Sequence, residues 1–197
     1  MKSFIYILLT SLTFLVVGCQ NESEEIRLIN QAERLFDAYP DSVITTLDSI
    51  PLPEEMSPRL VARWCMLYAR AADKIEDEMP YTNQLEIALK YYQKKKMREE
   101  EAEIGLYLGR SYVEDKEYEK AMRAYSDALE VALAIKDYNR AGYICSYMGD
   151  LYEVDLRYIL AAEKYKESGK YFHLANNTTS YVRAFVNEAH SYSIADS

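Results

Sequence analysis

Cysteine, histidine, glycine and proline are all scarce in this chain, and each scarcity excludes something. Three Cys and two His in 197 residues supply neither a disulfide framework nor the paired ligands of a zinc site. His173 and His190 have no second ligand pair beside them. Six glycines form no phosphate-cradling loop, and neither Gly-x-Ser-x-Gly nor His-Glu-x-x-His occurs. Positive charge is short as well: 23 Lys+Arg stand against 32 Asp+Glu, for a formal net charge of −9. Such a chain cannot neutralise phosphates, so nucleic acid is not an expected partner. All five prolines (Pro40, Pro51, Pro53, Pro58, Pro80) precede residue 81. The proline-free remainder suits a run of helices. Carboxylates are plentiful, but no catalytic pair stands out among them. The expectation is a protein without catalysis, cofactor or metal.

What is present is a core and an address. Hydrophobic residues make up 49% of the chain, and the 19 Tyr are enough to rule out disorder. Lys2 precedes a fourteen-residue apolar stretch, Phe4 to Val17, softened by Thr10, Ser11 and Thr13. A membrane-spanning helix needs about 20 apolar residues, so the stretch fits the core of a signal peptide. Val16-Val17-Gly18-Cys19 follows, and this resembles the lipobox of bacterial lipoproteins. The resemblance implies cleavage before Cys19, acylation of that residue, and anchoring through several acyl chains. The residue after Cys19 is Gln20 and not Asp, which by the same resemblance favours the outer membrane. Residues 1–18 then form a signal peptide and 19–22 a lipidated tether. Loss of Lys2 takes the formal charge from −9 to −10, which excludes a polybasic grip on anionic lipid.

Beyond the tether the spacing is helical. Ile26, Ile29, Ala32, Leu35 and Phe36 mark one helix, from Ser23 to Ala38. Pro40-Asp41-Ser42 starts a short second one, and Pro51-Leu52-Pro53 makes a stiff linker. Ser57-Pro58 opens a third helix, to about Ala72. Pro80 opens a fourth, to Lys96. Its basic end, Lys94 to Arg98, is followed by Glu99-Glu100-Glu101, which matches the macrodipoles of two abutting helices better than a docking patch. Asp41-Ser42-Val43 and Asp48-Ser49-Ile50 read as capping and turn chemistry, with a resemblance to the Asp-Ser/Thr-apolar O-glycosylation site of some envelope proteins as the alternative.

The clearest signal is a repeat. Gly105-x2-Leu108-Gly109-x2-Tyr112-x8-Ala121-x3-Tyr125-x2-Ala128 recurs forty residues later as Cys145-x2-Met148-Gly149-x2-Tyr152-x8-Ala161-x3-Tyr165-x2-Ser168. Phe185, Glu188, Ala189 and Tyr192 begin a third copy. Cys65, Tyr68 and Ala69 form a degenerate earlier one. The pattern resembles the tetratricopeptide repeat (TPR), a helix–turn–helix unit. The glycines let paired helices approach, and the tyrosines fill the space between them. The usual TPR period is 34 residues, so a period of 40 predicts longer helices. Asp137 and Asn176-Asn177 are expected to make turns. With its lipobox, its Pro-Asp-Ser helix and Leu47-Asp48-Ser49-Ile50, the whole chain also resembles envelope TPR lipoproteins.

These readings predict an all-α, right-handed TPR-like superhelix, with degenerate hairpins over 23–98 and regular repeats over 99–197. In the last helix Tyr181, Phe185, Ala189 and Tyr192 make a stripe that the preceding repeat could bury, leaving either a cap or a truncated array. The TPR resemblance further implies a concave groove lined by first helices, where a protein or peptide binds. Carried over by position, its residues are Glu103, Leu106, Arg110 and Glu114, then Tyr143, Ser146, Asp150 and Glu153. Arg183, Val186 and His190 extend it at one end, Met66 and Arg70 at the other. An envelope scaffold or assembly factor follows as the expected function. The alternatives are the sensory arm of a TPR regulator whose transmembrane and DNA-binding parts lie elsewhere, and a glycan-binding lipoprotein.

Overall fold

A computed structural model of the chain describes residues 24–51 and 53–196. The expected signal peptide, the expected tether and Cys19 lie outside the described residues. The described chain is all helical: α1 (24–35), α2 (Pro40–Leu47), a 3-10 turn (Pro53–Glu55), α3 (Pro58–Ile75), α4 (Thr82–Lys95), α5 (Arg98–Glu114), α6 (Tyr118–Ala134), α7 (Tyr138–Val154), α8 (Tyr158–Leu174) and α9 (Thr178–Ala195). It divides into two compact units, one ending at Asp77 and the other starting at Glu78.

In the first unit α2 packs on α3. Val43 and Leu47 of α2 and Val61 and Trp64 of α3 are buried together with Ile29 of α1. The Trp64 indole donates to the Leu47 carbonyl at 3.2 Å, which satisfies the one polar atom that this large ring takes inside. Arg63 ties α3 to α1 by donating to Asn30 Oδ1 at 2.9 Å and Glu33 Oε1 at 2.7 Å.

In the second unit each helix packs on the next, α4 through α9. Helices α5, α6, α7 and α8 are 17 residues long. Three-residue turns join them, so the chain reverses every twenty residues and a hairpin takes forty. The turns share one geometry. Glu76, Lys96, Lys116, Lys136, Leu156 and Asn176 all have φ between 56° and 60°. At each turn the next residue's N–H returns to the carbonyl five residues back, as in Glu117 to Tyr112 (2.8 Å), Asp137 to Ala132 (2.8 Å) and Asn177 to Phe172 (2.9 Å). This is the Schellman closure, which satisfies the orphan carbonyls of the outgoing helix. Asp137 and Asn177 then cap the incoming helix, accepting from Arg140 N at 2.9 Å and Ser180 N at 3.1 Å.

None of the six left-handed residues is glycine. Leu156 is the least suited to that conformation, and it is 71% exposed, so its side chain contributes little packing in return. Leu156→Gly is expected to stabilise the fold by about 0.5–1 kcal/mol in urea denaturation. A lowered midpoint would show that the leucine holds the turn.

The repeat residues meet where their spacing places them. Leu108, Ala121, Tyr125, Ala128, Met148, Ala161 and Tyr165 are buried. Gly109 lies under the Tyr125 ring and Gly149 under the Tyr165 ring, so close that a Cβ at either would overlap the ring. Tyr112 and Tyr152 are half-buried. Tyr112 donates to Glu86 Oε1 at 2.6 Å. Burial, with Glu86 beside it, pushes that phenol up to about 12.

The last helix corrects one expectation. Helix α9 turns Ser180, Ala184 and Ser191 inward. Tyr181, Phe185, Ala189 and Tyr192 stay exposed, Phe185 by 60%. Their counterparts one repeat earlier, Ala141, Cys145, Gly149 and Tyr152, face α8. Helix α9 has no such partner among the described residues, so Phe185 and Tyr192 are left open, while Tyr181 and Ala184 lie against α8 at His173 and Gly169 and Ser180 and Ser191 bond to α7.

Candidate functional site

Helices α5, α7 and α9, the first helices of successive hairpins, present a common face. Helix α7 contacts α5, and it reaches α9 through two hydrogen bonds. The Tyr143 hydroxyl lies 3.3 Å from Ser180 Oγ, and Ser191 Oγ donates to Glu153 Oε1 at 2.5 Å. At the forty-residue offset the face has three rows: Glu103, Tyr143 and Arg183; Leu106, Ser146 and Val186; Arg110, Asp150 and His190.

Most of its carboxylates are already engaged. Glu103 accepts from Arg140 Nη2 at 3.1 Å and from the Tyr107 hydroxyl at 3.3 Å. Arg140 also grips the Asp137 cap, so one guanidinium joins α5 to the start of α7. Both Glu103 and Arg140 are largely covered, at 12% and 20% side-chain exposure. In that setting losing either partner would weaken the pairing of a largely covered charge. Glu114 accepts the Met79 backbone N–H through both carboxylate oxygens, at 3.1 and 3.3 Å. Burial raises the pKa of its carboxyl, and that hydrogen bond acts against the rise. Asp150 accepts the Tyr165 hydroxyl at 2.6 Å. Burial raises its carboxyl too, opposed by the Tyr165 hydroxyl and assisted by Glu153 nearby.

Arg110 spreads over the Tyr147 ring, 5.6 Å from its centroid, and Tyr147 stacks on Tyr125 at 5.9 Å. This holds a cation flat against the face. Tyr143 sets its ring edge against Phe172 at 4.9 Å and keeps 38% exposure. Ser146 Oγ lies 2.8 Å from Ser168 Oγ. Ser168 spends its own proton on the Gly142 carbonyl, so Ser146 is the donor. Arg183 and His190 are exposed and have no ion pair among the described residues. Leu106 and Met66, expected to face inward to the groove, are buried at 7% and 6%. Arg70 is exposed on α3 and belongs to the first unit.

Sequence reasoning placed residues on this face without finding their ties. Arg140, Ser168 and Ser191 were missed because their partners are distant in sequence. Only Asp137 and Arg140, three apart on one helical start, left a readable trace.

No group of three or more His, Cys, Asp or Glu that could hold a metal occurs among the described residues. Cys65 and Cys145 are buried free thiols. Burial pushes Cys145 up to about 12 and Cys65 upward as well, so both stay protonated and act as small apolar side chains. No described helix is long and apolar enough to cross a membrane.

Comparison with known proteins bears on the fold. No family model matches the chain, and no curated protein matches it. Among solved structures it is similar to the crystal structure of BtubC (BKLC) from P. vanneervenii, with a TM-score of 0.59 and 16% sequence identity. The match covers 90% of this chain and 84% of that one. It shows an all-α, TPR-like repeat fold of sequentially packed helical hairpins.

Proposed function

We propose that this chain is a protein-binding scaffold of the cell envelope, tethered to the outer membrane by acyl chains on Cys19. The observation that carries the binding role is the common face of α5, α7 and α9. It offers Arg110 backed by an aromatic ring, exposed Tyr143, and two uncommitted groups in Arg183 and His190. A flat guanidinium beside a partly exposed tyrosine suits a polypeptide segment anchored by a carboxylate and an apolar side chain. Glu103, Glu114, Asp150 and Glu153 hold the helices that shape the face. The Val16-Val17-Gly18-Cys19 segment supports the anchor.

Cross-linking and mass spectrometry on native membranes identifies the partner and tests the reading. Arg110→Glu is expected to cut capture of that partner by about tenfold or more, because a charge-assisted contact becomes a repulsion. Helicity should be unchanged, since Arg110 lies on the surface of Tyr147 and not beneath it. Normal capture by the variant would remove Arg110 from the site.

A further inference from the structure

A second site lies on another side of the same hairpin. A cleft of about 280 Å³ opens between α4, α5 and α6. Glu101, Gly105, Leu108 and Tyr112 of α5 line it, whereas Glu103 and Arg110 do not. Its apolar wall comes from Leu89, Leu108 and Val131, and the small Ala124 also lines it. Two carboxylates edge it. Glu101 is only 7% exposed. Its Oε2 takes Arg98 at 2.8 Å, and Oε1 takes no proton from any described residue. Asp127 is exposed and likewise unpartnered among the described residues. Two cations line the cleft as well: Lys120 pairs with Glu117 at 3.4 Å and sets its Nζ 5.7 Å from the Tyr112 ring, and Arg123 pairs with Glu119 at 3.5 Å.

The next hairpin shows what such a space takes. Forty residues on, Ala124 becomes Lys164, Asp127 becomes Glu167 and Gly105 becomes Cys145. Lys164 Nζ donates to Glu167 Oε2 at 2.7 Å, with Cys145 and Tyr152 nearby. The second hairpin therefore fills the place with a lysine of its own, whereas the first keeps the carboxylate and omits the lysine.

We propose that the α4–α5–α6 cleft binds an alkylammonium group, the end of a lysine side chain presented by a partner protein. Asp127 and Glu101 receive the ammonium, and Leu89, Leu108 and Val131 flank the methylenes. Long cationic side chains favour such sites because the stem buries apolar surface while the head stays paired. The site does not depend on the face of α5, α7 and α9.

The test uses the whole chain in amide-resolved NMR titrations. The probes are n-hexylammonium, n-hexanol and acetyl-Ala-Ala-Lys-Ala-Ala-amide. Saturable shifts at Gly105, Leu108 and Ala128 are expected with n-hexylammonium, and binding of n-hexanol about tenfold weaker, the worth of a charge-assisted hydrogen bond. Asp127→Asn, an exposed change that the fold will tolerate, should weaken the ammonium by a similar factor. Ala124→Lys, which copies the second hairpin, should abolish binding while the thermal melt holds. Equal affinity for alcohol and ammonium would overturn the proposal, as would full binding by Ala124→Lys. The peptide separates the sources: binding at least as tight as n-hexylammonium assigns a protein lysine, and binding of the free amine alone overturns that assignment.

Discussion

Gly109→Leu is expected to destabilise the protein by about 1–3 kcal/mol or more, because the helix pair has no room for a side chain there. A Cβ at position 109 would lie 2.2 Å from Tyr125 Cε1 and 2.3 Å from Cδ1. The ring has nowhere to go. It is 1% exposed and stacked on Tyr147, which in turn lies under Arg110. Helices α5 and α6 must therefore part, losing the burial of Leu108, Ala121 and Ala128 along with the ring contact. Gly149 has the same relation to Tyr165, at 2.7 Å. A non-glycine residue at either place gains at most about 1 kcal/mol of helix propensity, too little to offset the overlap. Gly169 is the control within the same protein. A Cβ there meets Ala184 Cβ at 3.7 Å, ordinary contact, so Gly169→Ala should stabilise by up to about 1 kcal/mol. Urea denaturation of the two variants should move in opposite directions. An unchanged midpoint for Gly109→Leu would refute the packing role. Partial recovery by Tyr125→Leu in the Gly109→Leu background would locate the conflict at that ring.

The same pairs explain why the fold could be read from the sequence. Gly109 with Tyr125 and Gly149 with Tyr165 are reciprocal fits between two helices, and a fit of that kind constrains both residues at a fixed spacing. Repetition at forty residues made the constraint visible. The turns were less legible. Left-handed residues are ordinarily flagged by glycine, but here they are Glu, Lys, Lys, Lys, Leu and Asn. Their twenty-residue spacing emerges only from the backbone. The stripe of α9 shows a different limit. Apolar spacing groups Tyr181, Phe185 and Tyr192 on one face, but it cannot say what lies against that face. Packing turned Ser180, Ala184 and Ser191 inward, Ala184 against Gly169 of α8 and the two serines onto Tyr143 and Glu153 of α7.

The candidate site divides along similar lines. Helical spacing and the repeat offset put Glu103, Tyr143 and Arg183 in one row, since both are properties of a single regular helix copied along the chain. Whether a polar side chain is free is decided by partners far away in sequence, such as Arg140 for Glu103, Ser191 for Glu153 and the Met79 backbone for Glu114. Those partners occupy no repeat-marking position and are polar residues of ordinary kinds. The cleft between α4, α5 and α6 was hidden for a related reason. It consists of a residue that one repeat has and the other lacks, and a search for similarity passes over differences. The contrast between Ala124 and Lys164 gains meaning only once Glu167 is seen holding the ammonium.

Cys19→Ala is expected to abolish lipid labelling and to release the protein from membranes. The mature chain would carry a formal charge near −10, so anionic headgroups repel it and offer no electrostatic grip. No described helix can span the bilayer. Acyl chains contribute about 0.8 kcal/mol per buried methylene, and one chain binds only marginally while two or more hold stably. Removing the acceptor removes that whole contribution at once. Under the lipoprotein reading the variant also blocks cleavage, which leaves Phe4 to Val17 attached. Fourteen apolar residues fall short of the roughly 20 needed to span, yet they could keep part of the population at the membrane. Combining Cys19→Ala with a cleavable secretory leader in place of residues 1–18 removes that complication. Under the lipoprotein reading this second protein is fully soluble, whereas the wild type resists high salt and yields only to detergent. Continued membrane retention of the leader-exchanged variant would sink the lipid anchor, and salt-sensitive binding of the wild type would replace it with a protein receptor.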